Sequence, residues 1–184
     1  MKKTLIIIGI IVVIVLAYGF STYNSLVTLN VNADTQWKQV ETQYQRRFDL
    51  IPNLVESVKG IMAQEKEVFT AIADARTRYS GATTPADRAA AANQVESALG
   101  RLLVITENYP QLKSSETVQT LMSQIEGTEN RISVERTRYN DTVRAYNLKV
   151  MRIPSSIIAA ITGFDERAYF EAAEGSEVAP KVQF

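Results

Sequence analysis

The chain has 184 residues, 46% of them hydrophobic, and its 20 Lys and Arg balance its 20 Asp and Glu to a net charge of zero. That length holds one domain plus an appendage, and the charge balance implies no nucleic-acid partner. Cysteine and histidine are both absent, which excludes disulfides, thiolate metal sites, thiol nucleophiles, His-based triads and the usual zinc sites.

Lys2 and Lys3 precede a run from Leu5 to Phe20 that is apolar throughout. Sixteen helical residues cover about 24 Å of a hydrocarbon core roughly 30 Å thick. No charge follows until Asp34, so Thr22 to Val27 can complete a span. A cleaved signal peptide is the rival reading, with Ala17–Tyr18–Gly19 as its cleavage site. Length and the uncharged flank favour a retained membrane anchor. Lys2 and Lys3 then hold the N-terminus in the cytoplasm and place the domain on the outer side.

Beyond the span a seven-residue pattern sets in. One column reads Tyr23, Asn30, Trp37, Tyr44, Ile51, Val58, Glu65, Ile72, Tyr79, and the other Leu26, Ala33, Val40, Arg47, Leu54, Ile61, Val68, Ala75. These are the a and d seam of a coiled-coil pattern. Phe48, Val55, Met62 and Phe69 widen the stripe to the face that a bundle helix buries. The unbroken register predicts one helix from the membrane to Tyr79, kinked at Pro52 rather than folded back, with a stop at Ser80–Gly81. Thr84, Pro85 and Asp87 open a second, alanine-rich helix that keeps Val95, Leu99, Leu102 and Ile105 inward and ends at Asn108–Tyr109–Pro110. Ser114–Ser115–Glu116 opens a third, with Val118, Leu121, Ile125, Ile132, Tyr139, Val143, Tyr146 and Val150 as its stripe. Pro154 ends it. Ser155–Ser156 caps a short apolar turn, Ile157 to Ile161, closed by Gly163. The expected fold is all-α: a membrane anchor (1–22) continuous with a long helix, an antiparallel up-and-down bundle (23–170) and an irregular tail (171–184).

Helix lengths bear on assembly. The second helix is about 33 Å long and the first, from Thr22 to Tyr79, about 87 Å. A hairpin at Gly81 would cover only the far part of the first helix, and the third would head away from the membrane again. Tyr23, Leu26, Val27, Trp37, Val40 and Tyr44 are then left without a partner from their own chain, which implies a homo-oligomer built on that stripe.

Several charges occupy stripe positions. A lone buried charge costs several kcal/mol, so Arg47, Glu65, Arg76, Glu107, Glu129 and Arg136 are expected to pair across helices as an ionic layer. Of Arg46 and Arg47, one is expected in solvent and one paired. The sharper alternative makes Glu65 and Glu129 a general acid and base. Nothing supplies the rest of a sugar or phosphate site, and no Asp-rich loop has calcium-binding spacing. No catalytic, cofactor or metal residue is therefore assigned, and no cofactor is expected.

A set of motifs spans nearly the whole chain: Tyr23–Asn24–Ser25–Leu26–Val27, Trp37–Lys38–Gln39–Val40, Arg47–Phe48–Asp49–Leu50–Ile51–Pro52–Asn53–Leu54–Val55, Glu107–Asn108–Tyr109–Pro110–Gln111–Leu112, Thr128–Glu129–Asn130–Arg131–Ile132, Arg138–Tyr139–Asn140, Tyr146–Asn147 and Pro180–Lys181–Val182–Gln183–Phe184. In these the chain resembles the LemA family of bacterial membrane-anchored helical proteins. The resemblance implies a single membrane helix, a helix-bundle domain, and company with membrane metalloproteases and other envelope proteins. It also implies a short N-terminus outside, opposite to the charge argument. Gln64 stands where the family motif often has a histidine before the glutamate, which removes a His-dependent role. The function expected is a non-enzymatic scaffold or adaptor of the bacterial envelope. An accessory subunit of a membrane protease or envelope-stress system is one alternative, and a carboxylate-dependent hydrolase another.

Overall fold

A computed structural model describes residues 2–170; the expected tail, 171–184, lies outside the described residues. Helices α1 (Lys2–Lys59), α2 (Lys66–Gly81), α3 (Pro85–Thr106), α4 (Pro110–Lys113), α5 (Glu116–Met151) and α6 (Ser155–Thr162) follow in order, with no strand among the described residues. The described residues divide into two compact units, 2–38 with Thr137–Tyr169, and Gln39–Arg136 with Phe170. Helices α1 and α5 contribute to both. Along the first stretch of α1, every large apolar side chain from Leu5 to Phe20 is exposed. A helical apolar run of this length, uncovered by protein, fits a single-pass membrane protein.

In the unit from Gln39 to Arg136, the stripe of α1 is buried at Val40, Tyr44, Phe48, Ile51, Leu54 and Val58. Helix α1 then ends, and Ile61 and Met62 both donate backbone N–H groups to Val58 O at 3.0 and 2.9 Å. Met62 is fully buried while Ile61 is largely exposed. Helix α2 runs back with Val68, Ile72 and Ala75 inward, and the Tyr79 ring meets Phe48 and Tyr44 edge-on at 4.5 and 5.6 Å. Thr84 caps α3 by accepting the Asp87 N–H at 3.1 Å, as Ser, Thr and Asp positions at a helix start dictate. Helix α3 buries Ala91, Ala92, Val95, Ala98, Leu99 and Leu102, and α5 adds Val118, Ile125 and Ile132. The result is an up-and-down arrangement of four helical segments.

The expected single helix to Tyr79 is therefore two helices and a reversal. The reason it is hard to read is arithmetic: Val58, Glu65 and Ile72 stay seven apart because the turn itself uses one heptad. Local chemistry is weak there, since Glu65 makes no side-chain cap on α2 and Gly60 alone marks a breaker. Pro52 stays inside α1. One reversal more than expected redirects the later helices, and α5 runs back beside α1. In the unit containing residues 2–38, Trp37 meets Tyr139 edge-on at 5.3 Å, and Leu26 clusters with Tyr146, Val150 and Ala159.

This corrects the expectation that the stripe Tyr23, Leu26, Val27, Trp37, Val40 and Tyr44 lacks a partner in its own chain. Leu26, Trp37, Val40 and Tyr44 are buried, Val27 is half-buried, and Tyr23 meets the Phe164 ring at 5.9 Å. The missing intrachain cover from which a homo-oligomer was expected is thus present at Leu26, Trp37, Val40 and Tyr44, while Tyr23 stays exposed. A smaller correction concerns Ser155. Its hydroxyl, with one proton to share, points back to Lys149 O in the last turn of α5 and to Arg152 O just past it, at 2.7 and 2.8 Å, instead of capping α6.

Gly163 closes α6 in the left-handed region, at φ 75°, with open space around it. We expect Gly163→Ala to cost about 1 kcal/mol, from φ strain alone. Urea unfolding measures this, and an unchanged midpoint would show that the helix end relaxes freely.

Candidate functional site

Arg47 sits on the buried face of α1 with 1% of its surface exposed, while neighbouring Arg46 points to solvent. Its guanidinium donates from Nε to Thr128 Oγ1 at 3.3 Å and forms an ion pair with Glu129 on α5. Thr128 in turn donates to Ile125 O at 2.6 Å. A charge this deep is tolerable because it is neutralised and hydrogen-bonded at once.

Arg136, also on α5, is held from several sides. It donates to Tyr44 Oη at 3.1 Å, to Asn93 Oδ1 at 3.1 Å and to Glu96 Oε2 at 3.3 Å, and it stacks on the Phe170 ring at 4.4 Å. In the other unit Arg167 reaches Asn30 Oδ1 at 2.9 Å and Asp34 Oδ1 at 2.8 Å. Asn147 brackets the backbone of Arg167, accepting its N–H at 2.9 Å and donating to its carbonyl at 2.8 Å. A side-chain amide thus supplies what a neighbouring strand would, and pins the extended segment after α6.

The remaining charges of the expected ionic layer go elsewhere. Glu65 accepts from Tyr109 Oη at 3.2 Å, so Glu65 and Glu129 are committed to different partners. Arg76 and Glu107 are exposed. Asn93, Glu96, Thr128, Asn30, Asp34, Asn147 and Arg167 were missed. Most lie off the apolar columns, where a single sequence carries no period to find them, although Asn147 sits in the Tyr146–Asn147 motif. Burial raises the Tyr44 phenol above its ordinary value, an effect Arg136 tempers. Burial, reinforced by Glu41 and opposed by Arg88, pushes Tyr79 up to about 12.

A different kind of surface lies along the seam of α2 and α3. Three depressions of about 580, 410 and 340 Å³ share lining residues end to end. Ala71, Ser97, Ala98 and Arg101 join the first to the second, and Arg78 with Gln94 joins the second to the third. They make one open groove from Glu65 to the α2–α3 turn. Its floor is small because alanines and Ser97 occupy the seam, and its walls carry charges of both signs, Arg78 and Arg101 with Glu67, Asp74 and Asp87. Arg78 crosses it to donate to Gln94 Oε1 at 3.0 Å.

The class is an all-α helical-bundle protein, and its one described helix long and apolar enough to cross a membrane fits a single-pass membrane protein. Residues 36–184 match the model of the LemA family, and the chain belongs to that family. It is also similar to Magnetosome protein MamQ 2 of Paramagnetospirillum magneticum, 27% identical over 175 residues, covering 81% of this chain and 64% of the relative. Magnetosome protein MamQ of Magnetospirillum gryphiswaldense is 28% identical over 174 residues, covering 80% and 64%. The chain thus spans slightly less than two thirds of the length of these relatives.

Two measurements probe the buried polar groups. We expect Glu129→Gln to destabilise by about 2–3 kcal/mol, less than the full cost of breaking a wholly buried pair, because Glu129 keeps one side in water. Arg47→Met combined with Glu129→Gln should recover part of that loss, and additive losses would mean the two groups are not coupled. The second follows from Tyr79. A folded-state value raised from 10.0 to about 12 stabilises the fold below pH 10, and that stability is lost as pH rises to about 12. Denaturation midpoints measured across this window should fall, and Tyr79→Phe should flatten the fall; an identical slope in the variant would assign the effect to other groups.

Proposed function

We propose that this chain is a non-enzymatic, membrane-anchored helical scaffold or adaptor of the bacterial envelope, with residues 1–22 as anchor, 23–170 as the bundle domain, and the α2–α3 groove as its working surface. The observation that carries the reading is how its polar groups divide. The cations Arg47, buried, and Arg136, half-buried, are each paired with a carboxylate on another helix, which makes them parts of the fold. The groove is open, has a floor of small side chains and charges of both signs along its walls. That suits a helix or extended segment of another protein, since close backbone approach needs a small-residue floor and mixed charges set register. Glu65 and Glu129, held by Tyr109 and Arg47, favour this reading over a carboxylate hydrolase. The domain is proposed on the outer side, on the strength of Lys2 and Lys3.

A photo-reactive residue at Gln94 in intact cells should give discrete protein adducts that the same group at Gln124 on α5 does not. Ser97→Trp, which fills the groove, should weaken those adducts several-fold in protein of unchanged helicity. Equal yields at both positions would overturn the groove. Adducts to a membrane protease would narrow the role to an accessory subunit, and a turnover lost in a folded Glu65→Gln variant would replace the adaptor with an enzyme. Protease added to spheroplasts should digest the domain; protection, while a known external protein is cut, would reverse the topology.

A further inference from the structure

Helix α6 is eight residues long and uncharged, and no charge occurs from Ile153 through Phe164. One of its faces is committed to the fold. Ala159 is 1% exposed and clusters with Leu26, Tyr146 and Val150, with Ile158 packed against the same cluster. The other face is bare: Ile157 is 57% exposed and Ile161 76%, with Ile153, just ahead of the helix, at 84%. Residues four apart share one side of a helix, so Ile157 and Ile161 form a single apolar strip. Three isoleucines uncovered within nine positions of one another are not the scattered surface apolar residues of an ordinary domain.

The place of α6 in its unit identifies what covers that strip. A Cβ built on Gly19 would lie 3.7 Å from Ile158 Cδ1, and Gly19 belongs to the last turn of the exposed apolar run from Leu5 to Phe20. The Phe164 ring, just past the helix, meets Tyr23 at 5.9 Å, one turn further along α1, where an aromatic with a polar tip suits a membrane–water interface. The chain then leaves the helix to bind Asn30 and Asp34 through Arg167. The helix that carries the bare strip therefore packs against α1 where the exposed apolar run of α1 ends. The charges nearest in sequence, Arg152 before it and Asp165 and Glu166 after it, are exposed and flank the uncharged stretch.

We propose that α6, with Ile153, is a second membrane contact, a short helix whose isoleucine strip lies in the bilayer interface beside the end of the α1 span. It rests on the reading of α1 as a membrane anchor. The device gives the anchor a footing: a lone span allows a domain to rotate and tilt, whereas two contacts fix the orientation of this unit on the surface. The driving force is apolar burial at the boundary of headgroups and acyl chains, so neutral lipid suffices.

The absence of cysteine makes the test direct. The full chain carries a single cysteine through Ile157→Cys or Ile161→Cys, labelled with an environment-sensitive fluorophore and reconstituted in phosphatidylcholine vesicles. Val12→Cys in the span and Gln124→Cys on α5 serve as references. The probes at 157 and 161 should emit blue-shifted light, be quenched by brominated phosphatidylcholine as at position 12, and be shielded from aqueous iodide relative to position 124. Lipid quenching at position 12 combined with iodide quenching at 157 and 161 would overturn the α6 contact and leave the anchor standing. No lipid quenching at position 12 would overturn the anchor and this contact together. Shielding of 157 and 161 from both quenchers would mean that protein covers the strip, and would overturn the proposal as well.

Discussion

The requirement that α1 keep its apolar stripe out of water governs the rest of the molecule, and it is met differently along the helix. From Leu5 to Phe20 no protein covers the helix. From Leu26 to Trp37 the cover is α5 and α6. From Tyr44 to Val58 the aromatic part of the cover includes Tyr79 at the end of α2. A single helix of 58 residues thus passes through three environments, and each segment folding against it is placed by the stripe it must cover. The reversal at 60–65 follows from the same need. Met62 buries completely, and the turn it anchors reverses the direction of every later helix, bringing α5 back along α1.

Within that apolar frame the cations act as specifiers rather than as a source of net stability. A buried ion pair gains little over apolar packing of the same volume, but an unpaired one is severely destabilising. Arg47 against Glu129 and Arg136 against Glu96 penalise any register of α5 that slides these groups apart. A helix stripe of leucines and valines would tolerate such sliding, since one turn resembles the next. Asn147 performs the matching task for the chain after α6 by holding the backbone of Arg167.

The outer surface carries the functional consequences. In this LemA-family chain the inward-facing cations pair with carboxylates of other helices, Arg47 with Glu129 and Arg136 with Glu96, while Gln43 Oε1 is buried without a hydrogen-bond partner. The features left open are an apolar run suited to lipid, an isoleucine strip beside it, and a groove floored by small residues. Under the proposed scaffold reading, each is a surface offered to another phase or another molecule.

Periodicity and capping residues made the helices legible. The seven-residue columns located the buried face of α1, Thr84–Pro85–Asp87 located the start of α3, Gly163 the end of α6, and the uncharged run to Phe20 a helix long and apolar enough to cross a membrane, because each of these depends on interactions within a few residues along the chain. The path of the chain was not legible in the same way. Val58, Glu65 and Ile72 keep their spacing through a turn with no cap, so the pattern reads as continuous where the backbone reverses; what marks the turn in the fold is the complete burial of Met62. The partners of the buried charges share that origin. Arg47 announced a need for neutralisation, but its match with Glu129, and that of Arg136 with Glu96, rest on distances between helices far apart in sequence. Those distances exist only after the chain has reversed, and no period along the sequence records them.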